Sequence, residues 1–135
     1  MEIPVRATRS LAGKVAIVTG AGSLAEGIGN GRASAILLAE EGATVICVDM
    51  KPESAQRTVE MITTEGKGNA LALTADVTEE EDCKRAVDSA LEKFGRLDIL
   101  INNVGVGGPK GTAVEVDMAE WAKVQRATDL LAGSC

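Results

Sequence analysis

Residues Val15–Gly31 read Val-Ala-Ile-Val-Thr-Gly-Ala-Gly-Ser-Leu-Ala-Glu-Gly-Ile-Gly-Asn-Gly, an apolar run that breaks into five glycines. A segment with helical periodicity, Arg32–Glu41, follows directly. Glycines let a backbone approach a bound phosphate closely, and the N-terminus of the next helix presents N–H groups carrying about half a positive charge. The stretch is therefore typical of a nucleotide phosphate site, although glycines also serve ordinary tight turns.

The composition of the 135-residue chain limits the class of protein. Hydrophobic residues make up 45% and charged residues 25%, as in an ordinary globular domain, and no stretch has the ~18 apolar residues of a membrane span. The first residues lack the basic-then-apolar order of a secretory signal. We therefore expect a soluble, cytoplasmic domain that does not bind membranes.

Charge and reactive side chains exclude several functions. A net charge of −6 and scattered basic residues argue against a nucleic-acid partner, because phosphate backbones are held by clustered Lys and Arg. The chain has no histidine, which excludes a histidine-based triad or metal site. Cys47, Cys83 and Cys135 lack C-x-x-C spacing, so reduced structural thiols are favoured over metal or redox chemistry. We expect no metal site.

Four short apolar runs alternate with helical segments along the chain. Such alternation predicts parallel strands joined by helices. We expect an α/β fold, a Rossmann-type doubly wound parallel sheet truncated after about four strands, in the order 3-2-1-4. The expected strands are Val15–Thr19, Thr44–Val48, Ala70–Thr74 and Leu97–Ile101.

Several residues are typical of helix ends. Pro52 suits the first turn of the second helix, and Gly66 suits its end. Thr78 followed by Glu81 is typical of a capping box before the third helix, and Gly95 suits the end of that helix.

Polar residues at the expected strand exits indicate a ligand class. Asp49 ends the second strand, 20 residues after Gly29, where a carboxylate can accept hydrogen bonds from ribose hydroxyls. Its charge would repel a 2′-phosphate, which favours NAD over NADP, although Lys51 lies close in sequence. Asp76 and Asn102–Gly105 follow strands three and four and would face the same crevice. Each also has an ordinary structural interpretation, as a solvated acid, a helix cap or a turn.

Together these motifs resemble the N-terminal half of a classical short-chain dehydrogenase/reductase, over about residues 11–121. The motifs are Thr19-Gly20, Gly27-Ile28-Gly29, Asp49, Asp76-Val77 and Asn102-Asn103-Val104-Gly105. The resemblance implies that the pyrophosphate side of a dinucleotide cofactor contacts Gly20, Ser23, Gly27, Ile28 and Gly29. Asp49 would hold the adenosine ribose, and Asp76 with Val77 would contact the adenine. Asn103 and Gly105 would lie along the chain leading to the nicotinamide ribose.

The glycine turn departs from the family pattern. It is longer than the usual Thr-Gly-x-x-x-Gly-x-Gly, with Leu24–Glu26 as extra residues and Asn30-Gly31 before Arg32. This widening resembles the divergent enoyl reductases of the same superfamily, whereas Asn-Asn-Val-Gly after strand four favours the classical type. Which glycine lies nearest the phosphates stays open.

The resemblance also implies a reaction, reversible hydride transfer between NAD(P) and a small alcohol or carbonyl substrate. The family's general acid is a tyrosine assisted by a lysine four residues on, with a serine that polarises the substrate oxygen. This chain contains no tyrosine, so we assign no catalytic residue and expect the isolated chain to be inactive. The alternatives are a catalytically inactive nucleotide-binding fragment or an interaction partner of a full-length relative.

Three segments are expected: a disordered arm over residues 1–10, a partial dinucleotide-binding domain over 11–124, and an atypical tail over 125–135. The resemblance is lost after Val124, for which we hypothesise a frameshift, an altered splice or a premature stop. An open fourth strand and a fourth helix without its usual neighbours would then favour homo- or hetero-oligomers.

Overall fold

The computed structural model describes residues 3–4, 7–24, 26–105, 112 and 114–134, the last eight of these by backbone alone. The strands are β1 (Val15–Thr19), β2 (Thr44–Asp49), β3 (Asn69–Thr74) and β4 (Ile99–Asn102). The helices are α1 (Asn30–Glu40), α2 (Pro52–Glu65), α3 (Glu80–Phe94) and α4 (Met118–Ser134). Ala25 and Cys135 lie outside the described residues.

Within the described part of the chain the strands form one parallel sheet in the order β3-β2-β1-β4. Thr19, the last residue of β1, pairs with Val48 and Asn102, and Asp49 pairs with Thr74. The carboxyl ends of the strands therefore meet at one edge of the sheet. The predicted α/β fold and strand order are confirmed.

Helices cover both faces of the sheet. On one face, Ala35 and Ala39 of α1 and Ile62 of α2 pack with alternate residues of β1 and β2, including Val18 and Val45. On the other face, α3 packs on the remaining residues of those strands; this cluster includes Val15, Ile17, Ile46, Val48, Cys83, Ala86 and Ala90. Burial on both faces explains why β1 reads as a continuous apolar run rather than an alternating one.

The bounds of β1 match the prediction, and several other element boundaries differ from the predictions by one or two residues. The predicted start of β4, Leu97, lies outside the strand because Asp98 is used as an anchor. The Asp98 N–H donates to the Val15 carbonyl, and its Oδ2 accepts the Val15 N–H, both at 2.9 Å. Helix α1 begins at Asn30, before the predicted Arg32, with Gly29 as its extended N-cap residue.

Helix ends follow the sequence signals in three cases of four. Pro52 occupies the first turn of α2, and Gly66 and Gly95 end α2 and α3 with φ of 69° and 73°. The predicted capping box is wrong, because α3 begins at Glu80 without any side-chain cap. The Thr78 hydroxyl instead donates to Asp76 Oδ1 at 2.6 Å, since a carboxylate is the stronger acceptor.

At the two ends of the chain the described residues are mostly exposed. Leu11 is the first residue to join the fold through its main chain, donating its N–H to the Glu41 carbonyl at 2.7 Å. Helix α4 runs unbroken past Val124, and Met118 and Trp121 in its first turns are exposed. None of the helices in the described residues combines the length and apolar character that a bilayer crossing needs.

Candidate cofactor site

The turn between β1 and α1 begins with Gly20, which has a left-handed φ of 62°. A side chain there would also be crowded, since a Cβ would lie 3.0 Å from Asn103 Nδ2 and 3.1 Å from Val104 Cγ2. Both the backbone conformation and the approach of the residues after β4 therefore require glycine at this position.

Gly31, in the first turn of α1, lies directly against the start of the same turn. A Cβ at Gly31 would collide with the Gly20 carbonyl oxygen and would lie 2.5 Å from Asn103 Nδ2. Close packing of the first helix on the first strand is one of the roles that glycines fill in dinucleotide-binding turns. The sequence analysis did not single out Gly31 for this role, although a glycine inside a helix is itself a signal of close approach.

Two of the glycines between these points, Gly27 and Gly29, are in open surroundings, whereas a Cβ on Gly22 would collide with Ser54 Oγ and lie 2.7 Å from Asp49 Oδ2. A Cβ on Gly27 would meet no described heavy atom within 4 Å, and Gly29 would make only ordinary contact with Ser23. Ile28 between them is 63% exposed. Gly29 caps α1 without a side-chain hydrogen bond, and the first turn of α1 has no acidic residue. The N–H groups of this helix end therefore lack a side-chain cap and can bind an anion.

Asp49 is fastened beside the turn. Its Oδ2 accepts the Gly22 N–H at 3.0 Å, and its Oδ1 accepts the Lys51 N–H at 2.9 Å. A carboxylate has about four acceptor positions, so each oxygen can accept a further hydrogen bond from a ligand. The half-buried Asp49 carboxylate is thus held at the β2 exit and can still accept hydrogen bonds from a ligand.

Behind the turn, helix α2 supplies polar groups that the sequence analysis missed. Ser54 Oγ accepts the Ser23 N–H at 2.8 Å and donates to the Ser23 carbonyl at 3.1 Å. Thr58 Oγ1, which is fully buried, donates to the Ala21 carbonyl at 2.7 Å. Because the Ser23 N–H is already bonded, any cofactor contact from Ser23 falls to its other atoms. A polar Thr58 in the apolar stripe of Ala55 and Ile62 is the sequence signal that could have found this contact.

Asp76 and Val77 lie just beyond β3, where the Ala75 N–H donates to the Asp49 carbonyl at 3.1 Å. The Asp76 N–H donates to Asp82 Oδ2 at 2.7 Å, and Asp76 Oδ1 accepts the Thr78 N–H. The Arg85 guanidinium and, after it, the Asp76 N–H keep the pKa of Asp82 below its usual value. Val77 is 5% exposed and its side chain belongs to the core, which leaves mainly its backbone for an adenine contact.

Asn103 joins the exits of β4 and β1. Its N–H donates to Thr19 Oγ1 at 3.2 Å, and its Nδ2 donates to the Gly20 carbonyl at 3.1 Å. Gly105 is exposed, and a Cβ there would meet no described heavy atom within 4 Å. The structure thus brings Gly20, Ser23, Asp49 and Asn103 together around one turn.

Metal and thiol chemistry find no support in this region. Among the described residues, no three His, Cys, Asp or Glu side chains are grouped as metal ligands. Burial raises the pKa of the Cys47 thiol to about 12, which leaves the nucleophilic thiolate scarce near neutral pH. The start of α1 and the Asp49 carboxylate give this edge of the sheet groups that can bind an anion and a hydroxyl.

A parallel sheet with a glycine turn at the β1 exit and an acid at the β2 exit defines a dinucleotide-binding fold of the Rossmann type. The family model for the short chain dehydrogenase matches residues 14–128, and the chain belongs to that family. This confirms the resemblance seen in the glycine, aspartate and asparagine motifs.

Individual relatives agree with the family assignment. The chain is 40% identical over 111 residues to a cyclohexanol dehydrogenase of Acinetobacter sp. (strain SE19), covering 82% of this chain and 42% of that one. A crystal structure of a 3-ketoacyl-(acyl-carrier-protein) reductase from Brucella melitensis, complexed with NADH, superposes with a TM-score of 0.74 at 39% identity. That match covers 91% of this chain and 48% of the reductase. The chain thus spans less than half the length of each of these two relatives.

Proposed function

We propose that this chain is the cofactor-binding part of an NAD(P)-dependent oxidoreductase that transfers hydride between the nicotinamide and a small alcohol or carbonyl compound. The observation that carries the proposal is the uncapped, acid-free start of α1 behind the glycine turn, at the exit of the central strand β1. Pyrophosphate would be held there by backbone N–H groups without a lysine. The NADH complex of the Brucella reductase and the cyclohexanol dehydrogenase relative support this ligand and substrate class.

The same proposal assigns the parts of the cofactor along the edge of the sheet. Gly20, Ser23, Gly27, Ile28 and Gly29 would contact the pyrophosphate side. Asp49 would accept hydrogen bonds from the adenosine ribose, and Asp76 with the backbone of Val77 would border the adenine. Asn103 and Gly105 would border the nicotinamide ribose. The glycine turn and Asn103 are already linked through the Gly20 carbonyl, which gives these ends of the site a fixed spacing.

NAD is proposed in preference to NADP because of Asp49. Its carboxylate is anchored on one side by Gly22 and on the other by Lys51, both through backbone N–H groups. A 2′-phosphate placed against this carboxylate would be repelled, whereas two ribose hydroxyls would donate to it. Lys51 contributes its backbone N–H to this contact, independently of its ammonium group.

Catalysis is not assigned to any residue of this chain. The tyrosine that the family resemblance implies as general acid has no counterpart in the sequence, which contains neither tyrosine nor histidine. The proposal is therefore that the isolated chain binds the dinucleotide and does not turn over an alcohol.

The test is a titration of the purified chain with NADH and NADPH, followed by fluorescence, together with an assay of alcohol oxidation. We expect binding of NADH without turnover. Asp49→Asn keeps the size of the side chain and removes its charge, so the preference for NADH should shrink. Glu53→Gln, an exposed carboxylate in the first turn of α2, serves as the matched control. Absence of binding, or turnover by the chain alone, would contradict the proposal.

A further inference from the structure

Arg32 is a buried cation in the first turn of α1. Its residue exposure is only 2%, although arginine is among the side chains that are almost never fully buried without a partner. It lies three residues after Gly29, at the end of the widened glycine turn. A charged side chain at this position needs an explanation beyond packing.

The Arg32 guanidinium connects the glycine turn to helix α2. Its Nη1 donates to the Gly27 carbonyl at 2.7 Å, its Nε donates to Thr58 Oγ1 at 3.0 Å, and its Nη2 donates to the Ser54 carbonyl at 3.3 Å. The Thr58 hydroxyl in turn donates to the Ala21 carbonyl. Both ends of the turn are thereby tied to the same surface of α2.

These three hydrogen bonds engage all three guanidinium nitrogens, but their acceptors are neutral oxygens that do not neutralise the charge of Arg32. In the described part of the chain, the carboxylates paired with lysine or arginine at 4.0 Å or less belong to other ion pairs, none of which includes Arg32. The cation also lies at the positive end of the α1 dipole, where a negative charge is the favourable one. Burial of an unpaired charge is costly, and an apolar side chain would serve packing better.

A bound anion at the start of α1 would remove this mismatch. It would compensate both the buried guanidinium and the helix end, and it would lie on the turn whose Gly27 carbonyl Arg32 holds in place. We propose that Arg32 is a positioning residue, an inference that rests on the proposed dinucleotide function. Arg32 sets the shape of the widened turn from behind and strengthens binding of the pyrophosphate group specifically.

The test compares ligands with and without the pyrophosphate. Dissociation constants of ADP and adenosine are measured for the wild-type chain, for Arg32→Met and for Arg32→Lys, with NADH as the full ligand. Because Arg32→Met removes the buried charge and its hydrogen bonds to the turn, the dissociation constants of ADP and NADH should rise about tenfold or more. The dissociation constant of adenosine should change much less. Arg32→Lys keeps the charge without the planar fork and should fall between the two. Arg57→Met, an exposed arginine one residue before Thr58, is the matched control.

The outcomes separate this inference from the proposed function. An equal loss of affinity for ADP and for adenosine would mean that Arg32 only supports the fold. Unchanged dissociation constants would mean that Arg32 supports neither the fold nor pyrophosphate binding. If Arg32→Met does not fold, as judged by circular dichroism, Arg32→Lys decides, because it must still weaken ADP more than adenosine. A wild-type chain that binds none of the three ligands would refute the proposed function and this inference with it.

Discussion

Substitution of Gly31 by alanine tests whether close packing of α1 on β1 shapes the glycine turn. The new Cβ would collide with the Gly20 carbonyl oxygen and would lie 2.5 Å from Asn103 Nδ2 and 2.7 Å from the Gly20 carbonyl carbon. Two of these three atoms belong to the backbone, so no side-chain rotation can clear the space. The start of α1 must move away from β1.

The expected cost follows from three contributions. Overpacking at a rigid site costs roughly 2–3 kcal/mol, and loss of the hydrogen bond from Asn103 Nδ2 to the Gly20 carbonyl costs about 1 kcal/mol. Alanine is favoured over glycine in a helix interior by about 1 kcal/mol, which acts in the opposite direction. We therefore expect the free energy of unfolding to fall by roughly 2–3 kcal/mol.

Urea unfolding followed by circular dichroism measures this change. With a slope of about 2 kcal/mol per molar urea, the midpoint should fall by about 1–1.5 M. Gly27→Ala is the matched control, because a Cβ at Gly27 meets no described heavy atom within 4 Å and its φ is not in the left-handed region. A Gly31→Ala midpoint equal to that of the wild type, or a Gly27→Ala loss of the same size, would refute the reasoning.

Three further predictions concern single residues. Asn103→Ala should lower the free energy of unfolding by about 1 kcal/mol, because the Gly20 carbonyl loses its donor; urea unfolding without cofactor measures this. Asp98→Asn should destabilise the chain at pH 7. The Arg96 guanidinium, followed by the Val15 N–H, lowers the Asp98 pKa to about 2, so the stabilisation is complete above the unfolded value near 4 and is lost as the pH falls through 2. Thermal unfolding from pH 2 to 7 should show the two chains converging in acid. The buried Cys47 thiol, with a pKa of about 12, should resist iodoacetamide at pH 8 until urea is added, as peptide mass spectrometry can show.

Each of these predictions has a result that contradicts it. Asn69→Ala, at the exposed start of β3, is the control for Asn103, and equal effects would show that the Gly20 contact does not matter. A constant gap between Asp98→Asn and the wild type across the whole pH range would remove the ion-pair explanation. Rapid alkylation of Cys47 in the folded chain would show that β2 opens easily.

The central strands β1 and β2 were predictable because burial on both faces of the sheet leaves a short, continuous apolar run in the sequence. The α2 and α3 ends at Gly66 and Gly95 were predictable for a local reason, the left-handed φ that glycine adopts cheaply. The capping box at Thr78 failed because a competing acceptor, Asp76, lies two residues away and captured the hydroxyl.

The cofactor motifs were visible in the sequence, but the hydrogen bonds that hold the glycine turn in place were not. Ser54 and Thr58 reach the turn across 31 and 37 residues of chain, and Arg32 reaches Thr58 across 26. No local pattern encodes such contacts, since they exist only after α2 has packed beside α1 on the sheet. The close packing of Gly31 also depends on the tertiary structure, because its neighbours are the Gly20 carbonyl and Asn103 Nδ2.

What the sequence predicted by itself is the βα alternation and the motifs of a dinucleotide site, because hydrophobic periodicity and the spacing of glycine and aspartate are properties of nearby residues. Only the tertiary structure decided which groups hold the turn in shape. It assigned the Gly22 N–H to Asp49, the Ser23 N–H to Ser54, and a buried guanidinium to the Gly27 carbonyl. The physical reason is that a buried polar group must find its partner in space, wherever in the chain that partner lies.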